Sequence, residues 1–253
     1  MSYLRDCKTV RILQLNTDGI MISVDKSELT MIYLLNDIWM TSKGLILEED
    51  CIRAVWQKDV NNYIAVYTNG KIKTKGSYLT HGIAPAGAFS INNNFVIVKE
   101  AVIAYLVHGV PVEETIYSCR DIHKYQIIAK AGGGYSSVYL VSSQYDDYRT
   151  EYERENRTRG LNKQGKSVWV KPAWRWDCYS GYRRKLQHVN RVYASVYPNQ
   201  GILVKVKPDG TVGRIQGLPE SCVIDNKNQL TLDQVDRQWY INQAKSYIKD
   251  YIG

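Results

Sequence analysis

The sequence predicts an α+β fold made of antiparallel strands, divided into two domains. Three observations carry that prediction. Two short β-prone runs, Val10 to Leu15 and Gly19 to Val24, flank the turn Asn16-Thr17-Asp18-Gly19. A second hairpin turn stands at Thr68-Asn69-Gly70-Lys71, and between the two hairpins the apolar residues switch to a spacing of three and four. Tight turns join antiparallel neighbours, whereas parallel strands need a long crossover, so hairpin, helix and further hairpin is the pattern of an α+β domain.

Each element follows from local chemistry. Asn-Thr-Asp-Gly is sound turn chemistry in its own right, because a short Asp side chain caps its own turn and Gly relaxes the backbone. In SELTMIYLLNDIWMTSKG, residues Leu29, Ile32, Leu35, Ile38 and Trp39 mark an amphipathic helix, with Ser27 as its N-cap and Gly44 as its stop. The next stretch, LILEEDCIRAVWQKDVNNYIAVYTNGKIKTKG, alternates and is rich in β-formers, completing a first domain over residues 1–85. Beyond it NNNFVIVKEAVIAYLVHG reads as a helix and PVEETIYSC opens another at Pro111, which marks a second domain over residues 86–253.

Within that second domain, YQIIAKAGGGYSSVYLVSS reads as strand, loop, strand; Gly132-Gly133-Gly134 lacks the lysine of a phosphate cradle and is expected to be a flexible loop. Asp146 to Ser167 mixes both signs of charge, the composition of a solvated insertion or mobile segment. WVKPAWRWDCYSGYRRK interleaves three Trp with basic residues, which either stack bases or pack beneath a loop, packing being the commoner fate of Trp. Pro208-Asp209-Gly210 turns a further hairpin, and Leu232, Val235, Trp239, Ala244, Tyr247 and Ile248 mark a C-terminal docking helix.

Composition narrows the function classes. With 253 residues, 44% hydrophobic and 23% charged, the chain buries a real core and is not disordered. The 33 Lys and Arg against 25 Asp and Glu leave a net charge of +8, which favours a polyanionic partner, nucleic acid ahead of membrane. Twenty Tyr and six Trp against two Phe suit half-wet surfaces on which sugars and bases lie. Five cysteines never form CxxC and four histidines show no metal-ligand spacing, which argues against a disulfide framework or a zinc site. No apolar signal core opens the chain and no window approaches a membrane span, so a soluble, cytoplasmic protein is expected.

The order of an N-T-D-G hairpin, a helix, a long β segment ending in QKDVNNYIAV, and then GKIKTKG resembles the distal palm of family B DNA polymerases, especially those of phages. The hairpin tip of that family reads YxDTDS, and its second Asp holds two catalytic metal ions; Asp18 matches it, Asn16 stands at the first Asp and Gly19 at the Ser. The resemblance implies Asp18 as catalytic residue and metal ligand, with Asn16 assisting as a neutral oxygen donor to Mg²⁺. A hard ion wants carboxylate oxygen, and one carboxylate can bridge two ions, so Asn at the first position is survivable while Asn at Asp18 would not be.

The family's KKxY-like strand, which touches the primer near its growing end, is matched at Tyr63, with Asn61 and Asn62 where lysines stand and Lys58 three residues earlier, so the resemblance implies Lys58, Asn61, Asn62 and Tyr63 as nucleic-acid-binding residues, the asparagines as hydrogen-bond donors to phosphate or base edges. Lys71, Lys73 and Lys75 alternate, so they project from one strand face, either to a phosphate backbone or as lysines guarding an edge strand. NNFVIVKEAVIAYLVHGVPVEETI is similar to the opening helices of the family's thumb, and about 120–200 is read as an insertion without a counterpart there. The implied architecture is thus an antiparallel palm-type sheet with a packed helix, then a mixed helical thumb-like domain with β insertions.

That family supplies a second carboxylate from a motif DxxSLYP and a nucleotide-gripping Lys/Tyr helix, both before the hairpin, where here only 15 residues precede Asn16. The resemblance therefore implies the C-terminal part of a split or truncated phage polymerase, in the cytoplasm of a phage-infected bacterial host and inactive alone. Its partners would be primer-template DNA, dNTP, and an N-terminal polymerase chain carrying those two motifs, which shares the two-ion Mg²⁺ site. The alternative expectation is a non-catalytic nucleic-acid-binding protein whose Asp18 merely shapes a turn.

Overall fold

The structure, a computed structural model, describes residues 7–17, 19–76, 94–197 and 201–252. It is α+β with every paired strand antiparallel. The chain forms two compact units, Met1–Thr80 with Ile248–Gly253, and His81–Tyr247. Among the described residues no helix is long and apolar enough to cross a membrane.

The first unit opens with β1 (Arg11–Leu15) and β2 (Ile20–Ser23), whose turn is closed by the Asn16 N–H donating to the Gly19 carbonyl at 3.1 Å. Next is α1 (Leu29–Lys43), ended by Gly44 in the left-handed conformation at φ 64°. Its start differs from expectation: Ser27 does not cap it. Instead Asp25 caps a short 3-10 turn over Lys26–Glu28, accepting from the Ser27 N–H at 2.8 Å and the Ser27 hydroxyl at 2.7 Å, and this turn leads into the α-helix, whose own N-cap position, Glu28, makes no side-chain cap bond. A carboxylate is the stronger acceptor at a helix N-terminus and stands where the backbone is still extended. A three-stranded sheet follows, β3 (Ile52–Asp59), β4 (Asn62–Tyr67) and β5 (Ile72–Lys75), with β4 in the middle.

The second unit contributes α2 (Val96–His108), an apolar helix with Ile97, Val98, Ala101 and Val102 fully buried, and α3 (Val112–Ser118) just after Pro111. Lys99 shares the burial of α2, which pushes its ammonium down to about 8. Then come β6 (Ile127–Lys130), β7 (Ser137–Val141), α4 (Tyr145–Glu155), β8 (Thr158–Leu161), β9 (Ser167–Val170), β10 (Arg183–Leu186), β11 (Val189–Ala194), β12 (Ile202–Val206), β13 (Val212–Arg214), β14 (Cys222–Ile224) and α5 (Arg237–Ile252), whose residues from Ile248 on belong to the first unit.

Two sheets, ordered β10-β7-β12-β13 and β14-β11-β6, share one apolar core in which Leu140 and Leu203 meet Ile127, Val192 and Cys222. Within residues 120–200, β6, β7, β10 and β11 thus build this core, while β8 and β9 form a separate two-stranded ribbon. The other face of the four-stranded sheet is covered by Tyr145, Tyr179, Trp174 and Trp176. Asp146 to Glu155 is not a loose segment. It is helical because Tyr145 is buried, Arg149 pairs with Glu153 one turn on at 2.8 Å, and Asp146 accepts from Arg214 at 2.8 Å.

Candidate nucleic-acid interface

The three-stranded sheet of the first unit has two chemically different faces, set by its register. Trp56 lies opposite Ile64 and Ala54 opposite Val66, with Ile64 and Val66 facing Thr74 and Ile72 on the next strand, so one face is apolar. Tyr63 lies opposite Lys75 and Ala65 opposite Lys73, which puts Tyr63, Lys73 and Lys75 together on the other. Lys71 stands just before β5, its carbonyl accepting from the Tyr67 N–H at 2.9 Å, and alternation gives it the same side. The turn between these strands is built as its composition demands: Asn69 Oδ1 accepts from the Lys71 N–H at 3.0 Å and Gly70 takes φ 82°.

The lysines are exposed while the tyrosines are partly to fully covered. The Lys75 ammonium lies 6.0 Å from the Tyr63 ring centroid. The Tyr63 phenol, then Tyr67, which is also hydrogen-bonded to it, hold the Lys73 ammonium above its ordinary pKa, and Asp50 adds to this. Tyr67 in turn donates to Asp50 at 3.3 Å. The result is a row of fixed cations braced by phenols, an arrangement suited to successive phosphates of one strand. Because β5 is an edge of this sheet, the same lysines also discourage edge-to-edge pairing.

The other candidate residues divide. Irregular pairing between Gln57 and Asp59 releases Lys58 from the ladder, and its ammonium meets Asp250 at 2.5 Å. At the β3–β4 turn the Asn61 N–H donates to Asp59 Oδ1 at 2.8 Å, and the Asn62 amide nitrogen reaches both Asp59 oxygens at 3.0 and 2.9 Å. The Asn61 backbone bond first, then the Asn62 side chain, hold the Asp59 carboxyl below its usual pKa. Asn62 thus braces the turn that presents Tyr63. Gly76, at φ 114°, is the close approach that makes room for it: a Cβ there would stand 2.1 Å from Asn62 Oδ1.

Asp18 lies outside the described residues. Asn16 follows β1 directly, and a Cβ on Gly19 would lie 3.8 Å from Asn16 Oδ1, so the amide oxygen lies on the side of Gly19. Among the described residues no group of three His, Cys, Asp or Glu side chains is placed to hold a metal ion.

Reasoning from sequence missed Tyr67, Asp50 and Asp59. Tyr67 is four residues beyond Tyr63 in an alternating strand, which would have found it; Asp59 two residues before Asn61 is the signature of an Asx turn. No protein-family model matches this chain, and no curated protein matches it either.

Proposed function

We propose that this chain is the C-terminal palm and thumb portion of a family B-like DNA-directed DNA polymerase, which adds nucleotides to a primer when assembled with a chain carrying the rest of the palm and the fingers. The observation that carries the reading is the row Lys71, Lys73 and Lys75 beside Tyr63, following in order an N-T-D-G hairpin and a helix. On this reading Tyr63 and the three lysines grip the primer-template, with Lys58, Asn61 and Asn62 shaping the strand and turn that carry Tyr63. Asp18 and Asn16 would hold Mg²⁺. When bound, the ions supply Lewis acidity that offsets charge developing on the phosphates and the departing pyrophosphate of a dNTP.

The first unit also supports the need for a second chain. Among the described residues β1 and β2 pair only with each other, and Ile12, Leu13, Leu15 and Ile20 are exposed along them. Added strands would pair the open edges and cover this apolar surface. Primer extension by a complex with a chain bearing a DxxSLYP motif tests the proposal. Asp18→Ala should abolish extension with duplex affinity kept within about two-fold, while replacing all three lysines by Gln should lower that affinity. Extension that persists in Asp18→Ala refutes the catalytic assignment, and a complex that binds DNA but never extends a primer leaves the binding-protein alternative.

A further inference from the structure

We propose that the β8–β9 ribbon of the second unit is a separate docking element for duplex DNA, reading phosphates rather than sequence. The ribbon stands alone: among the described residues its two strands pair only with each other, in a regular register from Thr158 opposite Val170 to Leu161 opposite Ser167. A free two-stranded ribbon has the width that a major groove admits. Residues 157–171 hold three Lys and two Arg with no Asp or Glu. Lys171 is tied to Glu153 of α4 at 2.8 Å, anchoring the root, whereas Arg157, Arg159, Lys163 and Lys166 are exposed without an ion-pair partner among the described residues.

The cations are held in position. Asn162 Oδ1 accepts from the N–H groups of Gln164 and Lys166 at 2.9 Å each, so the tip that displays Lys163 and Lys166 is a rigid turn. Trp169 is 52% exposed, and the guanidinium carbons of Arg159 and Arg157 lie 4.3 and 4.7 Å from its ring centroid. Two guanidiniums on one indole leave the ring a poor platform for a base, while their N–H edges remain free for phosphate oxygens. That favours a backbone reader over a single-strand stacker. Of the acids of α4, Asp146 pairs with Arg214 at 2.8 Å, Glu151 with Arg154 at 3.7 Å and Glu153 with Arg149 and Lys171 at 2.8 Å each, none of them with the four exposed cations of the ribbon.

The proposal does not depend on the polymerase reading, since it needs neither Asp18 nor a partner chain. Its test is binding of the intact chain to a labelled duplex of about 20 base pairs at several salt concentrations, with equal-length single strands and anionic phosphatidylserine vesicles alongside. Arg157, Arg159, Lys163 and Lys166 are changed together to Gln, and separately Trp169→Ala is made. The four-fold variant should flatten the slope of log K against log salt by about 3 to 4, at roughly 0.9 for each phosphate no longer neutralised. Trp169→Ala should weaken duplex binding about three- to ten-fold with the slope changed by less than one, because it unseats guanidiniums without removing charge. Circular dichroism and the unfolding midpoint of both variants should match the parent, since the substituted side chains are exposed. An unchanged slope, single strands held as tightly as duplex, or preference for vesicles each overturns the proposal.

Discussion

Tyr240 is the residue on which the second unit's helix–sheet junction should be most sensitive. Its side chain is fully buried, and its hydroxyl makes two bonds at once: it donates to the Tyr125 carbonyl at 2.6 Å and accepts from the Ala194 N–H at 3.1 Å. Burial raises its pKa well above the tyrosine range, so it is a neutral hydroxyl at every ordinary pH. Tyr240→Phe retains the ring, which packs edge-on against Tyr125 at 5.1 Å and Trp239 at 5.0 Å, and removes only the oxygen. Two backbone groups then lose a partner in a dry site, at about 1–3 kcal/mol each, so a total loss of about 2–4 kcal/mol is expected after relaxation. Tyr125→Phe is the internal comparison. It deprives one backbone group, the Ile116 carbonyl that the Tyr125 hydroxyl meets at 2.5 Å, and should cost about 1 kcal/mol. Urea unfolding followed by tryptophan fluorescence, to which Trp239 reports from beside Tyr240, gives both values. A Tyr240→Phe loss below about 0.5 kcal/mol, or a larger loss for Tyr125→Phe, refutes the two-bond account.

Two further outcomes are expected. Gly76→Ala should destabilise the first unit by about 2–3 kcal/mol in urea unfolding, because a Cβ would meet Asn62 Oδ1 at 2.1 Å on a backbone already at φ 114°, whereas Gly132→Ala, with nothing within 4 Å, should be near neutral. Asp225 is buried, which opposes its ionisation, but the N–H groups of Leu230, Gln229 and Lys227 outweigh that and pull its pKa below the usual value. A depressed carboxyl pKa contributes stability present above the unfolded value of about 3.9 and lost as pH falls through the folded one. Asp225→Ala should therefore lower the melting temperature at pH 7 and flatten the fall in stability below about pH 4; a parallel acid limb in both proteins would contradict it.

What the sequence shows well is what neighbours decide. The turns at Asn69-Gly70 and Asp209-Gly210 fold as their composition demands, with Gly70 at φ 82° and Gly210 at φ 84°, because an Asx side chain and a glycine settle the geometry within four residues. Gly44 stops α1 for the same reason. What it hides is decided at a distance. Asp146 to Glu155 reads as a solvated run until Arg214 and Lys171, both remote in sequence, are found against its carboxylates. The three tryptophans of WVKPAWRW look alike in the sequence, yet Trp174 donates to the Tyr145 hydroxyl at 2.7 Å, Trp176 packs on Tyr139 at 4.4 Å, and Trp169 stays out with two arginines. In the candidate interface, alternation foretold that Lys73 and Lys75 share a face, but register alone set Tyr63 against Lys75 and took Lys58 away to Asp250.

The first unit gives its two halves opposite chemistry, and that contrast bears on how it works. The sheet carrying Tyr63 and the lysines is self-sufficient, with Ile64 and Val66 sealed on its apolar side and the polar groups of its turn satisfied by Asp59. The hairpin and helix are not. Met31, Leu34 and Ile38 stand exposed along α1, as do the apolar residues of β1, and a lone two-stranded hairpin is marginal in water. Side-chain bonds hold this hairpin at two places: Thr9 donates to Glu28 through its N–H and hydroxyl at 3.1 and 2.6 Å, and the Gln14 amide reaches the Val60 carbonyl at 3.3 Å. Gln14 Oε1 is buried with no hydrogen-bond partner among the described residues, a cost of about 1–3 kcal/mol. A hairpin that only shaped a turn would gain nothing from open edges, bare leucines and an orphaned acceptor. Further strands, of the kind proposed above for a second chain, would pair these open edges and cover the bare leucines.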